Sequence, residues 1–373
     1  MWLHMRTPPI VTSLPAQPAP FERMGARAAT LGRRAILVGG FDYPSHECLR
    51  EVGWLDEHGC ETEAGTRLTV GRNHFEMTPL DGHRLLVIGG YSEDYGSLAD
   101  VECLDLRHQE SQAWPWLKAP VELFNLVLLP GEAAVIGGLT AQGATATHDE
   151  IQLIDLRTHE VRLNPEPLRE SRFGSDALWL PRLGKVLIAG GKHVDRIPGA
   201  PQTTTAKYTA LGSLELWDPK TGHVQRAGVM TTPRDRPRLY PLPDGRVVIL
   251  GGASDSKKLD SIEVYDPVSQ STQVVGHLTV ARMAPMILPY RDQGLLIAGG
   301  WVDAVADGAN IEFLNFADMR SSVVGRAVAC RAEGAMIWVK PDTFVLAGGK
   351  DAFKGRNPHE YRFSTTEAFR VEP

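Results

Sequence analysis

The sequence of 373 residues predicts an all-β fold: a seven-bladed β-propeller built from four-stranded antiparallel blades. Two repeated features predict it. Seven apolar runs each end in a glycine pair, and an aromatic or apolar residue followed by Asp or Asn comes after six of the pairs. The pairs recur every 48 to 61 residues, which fits one propeller blade. We expect one domain over residues 1–373, with residues 1–20 as an extension or a ring-closing strand.

The glycine pair predicts the end of the second strand in each blade. An apolar run of this length is typical of a buried strand, and two glycines allow a sharp turn and a close approach of neighbouring backbone. We therefore interpret the pairs as structural. They are Gly39-Gly40, Gly89-Gly90, Gly137-Gly138, Gly190-Gly191, Gly251-Gly252, Gly299-Gly300 and Gly348-Gly349.

The third strand of each blade ends at the second feature. Alternation in Leu214-Glu215-Leu216 predicts a strand, and Asp218-Pro219 with Thr221-Gly222 predicts the turn after it. A seventh copy, placed at residues 360–363, lacks the acid. The six other copies are Trp54-Leu55-Asp56, Leu104-Asp105, Ile154-Asp155, Trp217-Asp218, Tyr265-Asp266 and Leu314-Asn315.

An arginine about 17 residues before most glycine pairs completes the pattern: Arg72, Arg172, Arg234, Arg282 and Arg331. Arg23 stands one residue out of step, and Glu122 is near this position in the third repeat. Arginine, glycine-pair strand and aromatic-Asp turn together resemble the kelch repeat of the galactose oxidase/kelch-like superfamily. The resemblance implies a kelch propeller but no particular activity. It covers repeats at about 21–70, 71–119, 120–169, 170–231, 232–279, 280–328 and 329–373.

Composition restricts the class of protein. The net charge is −6 and no basic run is present, which argues against a nucleic-acid partner. No segment approaches the ~18 apolar residues of a membrane span, and the amino terminus does not resemble a signal peptide. We therefore expect a cytoplasmic protein, unless a leader has been removed. The four cysteines, with no Cys-x-x-Cys pair, are expected to be reduced thiols, with Cys103 packed inside.

Either end of the chain can tie the first and last blades together. Residues 10–12 precede Arg23 by the spacing expected of an outer strand, and residues 368–371 fit the same slot in the last blade. The sequence leaves both alternatives open.

In an up-and-down blade, the loop that carries the repeated arginine and the loop after the glycine pair emerge on one face. Rigid scaffolds commonly build binding sites from such loops. An arginine-rich face there predicts binding of an anionic or polar small molecule, or of an acidic protein segment. The alternative is that the repeated arginines pair with acids inside the fold. The ligand-binding candidates are Arg72, Arg172, Arg234, Arg236, Arg238, Arg282, Arg331 and Trp301.

A catalytic alternative rests on His74 and Glu333. Both stand two residues after a repeated arginine, so both should lie at the same depth, although equal depth does not establish contact. A His and a Glu in one pocket can act as acid and base. This favours an enzyme of the isomerase or lyase type, for which sialic acid epimerase is a precedent at the level of the fold, or a tailoring enzyme of a biosynthetic pathway.

No metal or cofactor is expected. His46 and His193 are scattered, and the chain has neither a compact ligand set, a P-loop nor a dinucleotide fingerprint. The fourth post-glycine loop, residues 192–213, is longer than its counterparts and is either a lid or an insertion without function.

Overall fold

The computed structural model describes residues 8–140, 146–195, 207–255, 257–303, 305–351 and 365–372. Within these residues the fold is all-β, apart from one short helical turn, α1 (Val305–Gly308). The chain forms two compact units. The first comprises Met1–Val87, Glu102–Gln112 and Val275–Pro373, and the second comprises Ile88–Val101 and Ala113–Val274. No helix of the described ranges is long and apolar enough to cross a membrane.

Short strands follow one another along the whole chain. Up to residue 114 they are β1 (Ile10–Ser13), β2 (Gln17–Pro18), β3 (Arg23–Met24), β4 (Arg27–Leu31), β5 (Arg34–Val38), β6 (Phe41–Asp42), β7 (Glu47–Cys48), β8 (Glu51–Leu55), β9 (Glu61–Arg67), β10 (Glu76–Pro79), β11 (Arg84–Ile88), β12 (Tyr91–Ser92), β13 (Gly96–Ser97), β14 (Val101–Asp105) and β15 (Glu110–Trp114).

Between residues 125 and 277 the strands are β16 (Asn125–Leu129), β17 (Glu132–Ile136), β18 (Leu139–Thr140), β19 (Ala146–Thr147), β20 (Ile151–Asp155), β21 (Val161–Leu163), β22 (Asp176–Leu180), β23 (Lys185–Ala189), β24 (Lys192–Asp195), β25 (Lys207–Ala210), β26 (Ser213–Trp217), β27 (Val224–Val229), β28 (Arg238–Pro241), β29 (Val247–Leu250), β30 (Ala253–Ser254), β31 (Lys257–Lys258), β32 (Ser261–Asp266) and β33 (Ser271–His277).

The remaining strands are β34 (Met286–Tyr290), β35 (Gly294–Ala298), β36 (Asn310–Asn315), β37 (Ser321–Arg326), β38 (Arg331–Lys340), β39 (Thr343–Asp351) and β40 (Thr365–Glu372).

The strands assemble into antiparallel sheets in a blade-like arrangement that is consistent with a β-propeller. Within the described residues, each four-stranded sheet keeps its strands in chain order, which is the up-and-down pattern expected of a blade. Small ribbons such as β12–β13 and β24–β25 form the loops that follow the glycine pairs. The four-stranded sheets are β4-β5-β8-β9, β10-β11-β14-β15, β16-β17-β20-β21, β22-β23-β26-β27, β28-β29-β32-β33 and β34-β35-β36-β37.

The glycine pairs occur where the sequence predicts, at or near the end of the second strand of each sheet. Gly39 and Gly40 adopt φ values of 58° and 102°, which residues with a side chain rarely adopt. A Cβ atom at Gly39 would lie 2.8 Å from the backbone oxygen of Arg72. The pair is therefore needed both for its turn and for the close approach of the next arginine.

The last sheet joins the two ends of the described chain. Its order is β38-β39-β40-β1, and Val11 of β1 stands opposite Val371 of β40. The amino-terminal strand thus takes the outer slot, while the carboxyl-terminal strand is the third strand. This corrects the placement of the seventh turn copy at 360–363, a range outside the described residues, because the described third strand begins at Thr365.

The core lies between the faces of neighbouring sheets. In the first unit, Phe344 and Phe369 stack with ring centroids 5.0 Å apart, and Leu296 and Ile311 belong to the same buried cluster. Cys103 is buried, as the sequence predicts.

Candidate functional site

The repeated arginines lie inside the sheets and not on a solvent-facing surface. Arg234 is fully buried; its Nη2 lies 2.7 Å from Glu263 Oε1, and its Nη1 donates to the Gly251 carbonyl at 2.6 Å. The same arginine–glutamate pair occurs in four other repeats. These pairs are Arg72–Glu102, Arg172–Glu215, Arg282–Glu312 and Arg331–Glu367.

This burial corrects the expectation that Arg72, Arg172, Arg234, Arg282 and Arg331 face a ligand. A guanidinium with at most 1% of its surface exposed has its donors committed to its own sheet. Burial raises the pKa of Glu263, but hydrogen bonds from Arg234 and the Thr231 backbone together lower it by more, so that carboxylate stays ionised. We therefore assign these five arginines to the fold.

Two repeats vary the same arrangement. In the third, the equivalent position is Val121, since its carbonyl accepts from Gly90 N as the Arg72 carbonyl accepts from Gly40 N. Glu122 therefore lies one residue beyond the position that arginine occupies in the other repeats. Gln152 stands where the other repeats have glutamate, and its Oε1 accepts a hydrogen bond from Lys118 N at 2.7 Å.

In the first repeat Arg23, which looked out of step, fills the usual position and donates to the Gly39 carbonyl at 2.8 Å. Its carboxylate partner is Glu61 of β9, the fourth strand of the sheet, whereas the other pairs use a glutamate of the third strand. Glycine at position 53 makes this possible, because the Glu61 side chain occupies the space where a Cβ atom on Gly53 would lie.

Two residues after the buried arginine, or after Val121 in the third repeat, the backbone adopts a left-handed conformation in all seven repeats. The φ values lie between 50° and 67°, although only two of these residues are glycine. Within the first unit Gly25 N donates to Glu333 O at 2.8 Å, and within the second Arg236 N donates to Gly174 O at the same distance. The seven residues are Gly25, His74, Leu123, Gly174, Arg236, Ala284 and Glu333.

His74 and Glu333 meet in the first unit. His74 Nε2 lies 3.6 Å from Glu333 Oε2, and Lys350 Nζ lies 3.4 Å from the same oxygen. Gly25 is near both residues, because its N–H donates to the Glu333 carbonyl and a Cβ atom there would lie 3.4 Å from His74 Cδ2.

Aromatic residues border this cluster. Lys350 Nζ lies 4.7 Å from the ring centroid of Trp301, a cation–π contact. The Trp301 indole N–H is buried and has no hydrogen-bond partner among the described residues. Burial raises the pKa of Tyr43, and the charges of Glu333 and Glu22 raise it further. The Tyr43 phenol is therefore protonated at neutral pH, close to those carboxylates.

A charged pair that the sequence did not single out lies beside the cluster. Arg27 donates to Glu76 through two bonds, Nε to Oε2 at 3.1 Å and Nη2 to Oε1 at 2.8 Å. Burial would lower the pKa of Arg27, but Glu76 and Glu333 raise it by more. Each residue stands two positions beyond a left-handed residue, Gly25 or His74, so the repeat itself could have indicated them.

In the second unit the two remaining candidates, Arg236 and Arg238, are partly exposed. A Cβ atom on Gly174 would lie 3.1 Å from Arg236 Cγ, so the Arg236 side chain extends over that glycine. Arg238 follows at the start of β28. Asp176 Oδ2 accepts a hydrogen bond from Leu239 N at 2.8 Å, which places a carboxylate on the neighbouring strand.

A chain of polar side chains also ties a loop in this unit. Thr140 Oγ1 lies 2.6 Å from His148 Nε2, and His148 Nδ1 lies 3.0 Å from Glu150 Oε2. The threonine hydroxyl also lies 2.7 Å from the Pro120 carbonyl, to which it can donate. Because that donation uses its only proton, we interpret the chain as a structural tie.

Among the described residues, no group of three or more His, Cys, Asp or Glu side chains is placed to hold a metal ion. Most of the loop proposed as a lid, residues 196–206, lies outside the described residues.

Neither a scan against protein-family models nor a search of curated proteins finds a match to this chain.

Proposed function

We propose that this chain is a single-domain, seven-bladed propeller of the kelch type that transfers a proton on a polar small molecule, as an isomerase or a lyase does. The observation that carries the proposal is the contact of His74 with Glu333 beside Lys350. His74 comes from the second repeat and the other two side chains from the last, and all three lie in the first unit.

The backbone places both side chains of the pair at the same position of the repeat. A side chain in the left-handed region costs roughly 1 kcal/mol relative to glycine, and the same repeat position is glycine at residues 25 and 174. His74 and Glu333 accept this cost at φ values of 50° and 57°. Leu123, Arg236 and Ala284 adopt the same conformation, so the proposal rests on the contact of the pair and not on this backbone.

The short distance between His74 and Glu333 favours a pair that acts on one side of a substrate over two groups that act from opposite sides. With 3.6 Å between Nε2 and Oε2, both groups approach a substrate from one side. His74 then removes a proton from carbon next to a carbonyl and returns it, while Glu333 stabilises the imidazolium form. Lys350 supplies positive charge for a developing oxyanion.

The test uses exchange with solvent, because exchange can be measured for many candidate substrates in the same way. The protein is incubated in D₂O with separate polar carbonyl compounds, including acetamido sugars, aldoses and hydroxy acids. NMR then follows the loss of carbon-bound hydrogen. We expect enzyme-dependent deuterium incorporation for one class, reduced at least about 100-fold in His74→Ala and in Glu333→Gln.

Two controls separate chemistry from folding. His74→Gly relieves the left-handed backbone, so we expect activity to be lost while the unfolding midpoint stays equal or rises. His58→Ala, at a side chain with 61% of its surface exposed, should leave exchange unchanged. Exchange that persists in both the His74→Gly and Glu333→Gln variants would contradict the proposal, as would a His74→Gly protein that no longer folds.

A second candidate function is the binding of an anion by Arg236 and Arg238. It is favoured because these two arginines, unlike the five buried ones, keep part of their surface exposed and stand close together. Calorimetric titration with citrate should show binding that Arg236→Ala weakens at least about tenfold without lowering the unfolding midpoint. Equal affinity in the variant would exclude this site for citrate.

A further inference from the structure

A pocket of about 800 Å³ opens at the far end of the strands that carry the proposed site. Strand β4 starts at Arg27, next to the His74–Glu333 cluster, and ends roughly 13 Å away at Leu31. The pocket is lined there by the hairpin after β4, by the end of β8 and by the end of β38. It is therefore separate from the proposed catalytic site, although both lie in the first unit.

Two tryptophans form its apolar walls. Trp54 and Trp338 both line the pocket and are both partly exposed. Trp338 Nε1 donates to the Pro289 carbonyl at 3.0 Å, and its ring makes an edge contact with Phe344. These contacts hold the Trp338 indole in one orientation, so one wall of the pocket is formed before any ligand binds.

The positively charged side chains at the rim are not all paired with carboxylates. In the part of the chain that the structure describes, neither Arg33 nor Arg34 forms an ion pair. By contrast, Lys340 Nζ lies 2.9 Å from Glu57 Oε1. Asp56, the other carboxylate here, accepts hydrogen bonds from His58 N and Cys60 N in its own turn. Two guanidinium groups therefore border the pocket without a carboxylate of their own among the described residues.

Arg34 is held in a binding geometry. Its Cζ lies 3.9 Å from the Trp54 ring centroid, and the two residues are diagonal neighbours because Ile36 pairs with Trp54 across β5 and β8. A stacked guanidinium keeps its N–H donors in its own plane, where they can form the two-bond fork that carboxylate and phosphate accept.

We propose that this pocket binds an organic anion with a flat aromatic body, its ring between the tryptophans and its carboxylate or phosphate on Arg33 and Arg34. An aryl carboxylate and a nucleoside monophosphate share this chemistry. The volume suits either of them, since small-molecule sites commonly measure about 300–1,000 Å³.

The test starts with anilinonaphthalenesulfonate, a fluorescent aromatic anion, titrated into the whole chain. We expect saturable one-site binding, weakened at least about tenfold by Arg34→Gln and by Trp54→Leu. The matched controls are Arg157→Gln and Trp116→Leu, both at exposed positions in the second unit, and these should change the affinity less than about twofold.

Competition then identifies the ligand chemistry. Benzoate is compared with neutral benzamide, and adenosine monophosphate with adenosine. Displacement by benzoate alone would assign a carboxylate ligand, and displacement by adenosine monophosphate alone a phosphate ligand. The proposal is overturned if the probe does not saturate, if Arg34→Gln binds as the parent does, or if the neutral compounds displace the probe as well as the anions.

Discussion

The role of a side chain in this molecule depends on its position within the repeat. Arg234 and Arg236 are two residues apart, yet the first is fully buried against Glu263 and the second is partly exposed. The left-handed backbone at Arg236 accounts for the difference, because it redirects the chain into the first strand of the sheet. The sequence showed that both are arginines but not which one the fold uses.

Only part of the candidate site was predictable at this scale. The repeat correctly placed His74 and Glu333 at equal depth, since depth follows from sequence spacing alone. Their contact depends on the backbone φ of each residue, which single-sequence patterns do not report. Arg27 and Glu76 share a position in the repeat, which is the one signal that distinguishes them from other surface charges, but that position does not show that they pair.

Tyr265 offers a test of buried polarity. The residue is fully buried, its hydroxyl has no hydrogen-bond partner among the described residues, and burial, aided by Asp266, raises its pKa to about 12. Because an unsatisfied buried hydroxyl destabilises a fold, we expect Tyr265→Phe to raise the free energy of unfolding by about 1 kcal/mol at pH 7. Urea denaturation measures this difference.

The same substitution should alter alkaline stability. The phenol ionises near pH 10 in the unfolded chain but near 12 in the fold, so its contribution is intact below pH 10 and is lost as the pH rises towards 12. Tyr265→Phe should therefore lose less stability than the parent over that interval. Tyr95→Phe, at a side chain with 63% of its surface exposed, serves as the control. A lower midpoint for Tyr265→Phe at pH 7 would show that the hydroxyl is satisfied after all.

At the scale of the sheet, the buried arginine and glutamate act as one element. The glutamate binds the guanidinium and also accepts a backbone N–H three residues before the arginine, as Glu263 does from Thr231. In the third repeat both partners differ together, to Val121 and Gln152, while the backbone hydrogen bond to the side chain remains. The chain thus contains its own example of how the pair can be replaced.

The sequence could have shown this element only in part. Glutamate between apolar residues is visible in the third strand of several repeats, and Arg is visible at its own position. Their pairing joins residues 29 to 43 positions apart. In the first repeat, Glu61 can take the place of that glutamate because Gly53 leaves space for its side chain. The alternation of apolar and polar residues along one strand does not reveal packing of that kind.

We predict that Arg234→Val alone lowers the free energy of unfolding by about 3–5 kcal/mol, because it leaves Glu263 charged and buried. Adding Glu263→Gln, which copies the third repeat, should recover at least half of that loss. Urea denaturation of the parent, both single variants and the double variant measures the coupling.

The surface pair Arg162–Glu132 provides the matched control. Its atoms are 2.7 Å apart, but the arginine side chain keeps 52% of its surface exposed. Arg162→Val should therefore cost less than about 1 kcal/mol. If the Arg234 and Arg162 variants lost equal stability, the buried arginine would not be a structural element of its sheet.

At the scale of the whole molecule, the repeat predicted the sheets well because each one is built from consecutive strands. The last sheet is the exception, since it combines β1 with β40 from the other end of the chain. Edge pairing between distant segments depends on backbone hydrogen bonds that every residue can form, so the sequence left the two ends as equal alternatives. Such a sheet can be completed only after the carboxyl terminus has been synthesised.

This arrangement predicts that the amino-terminal strand matters far beyond its length. Val11 is buried against the cluster that contains Phe369 and Val371, and a Cβ atom at Gly325 would lie 2.8 Å from Val11 Cβ. Ile10, its neighbour on the strand, points outward with 61% of its surface exposed. Val11→Ser should therefore lower the free energy of unfolding by at least about 2 kcal/mol, and Ile10→Ser by less than about 0.5 kcal/mol.

Deleting residues 1–16 should have a larger effect than Val11→Ser, because it also removes the partner of Phe369–Glu372 in β40 and leaves only the short β2 on that edge. An exposed strand edge is a template for pairing with other molecules, so we expect a lower unfolding midpoint together with larger species in size-exclusion chromatography. Adding the deleted segment back as a separate peptide should restore both properties in part, since its partner strand is unchanged. A truncated protein that stays monomeric with the midpoint of the parent would mean that β40 does not need β1.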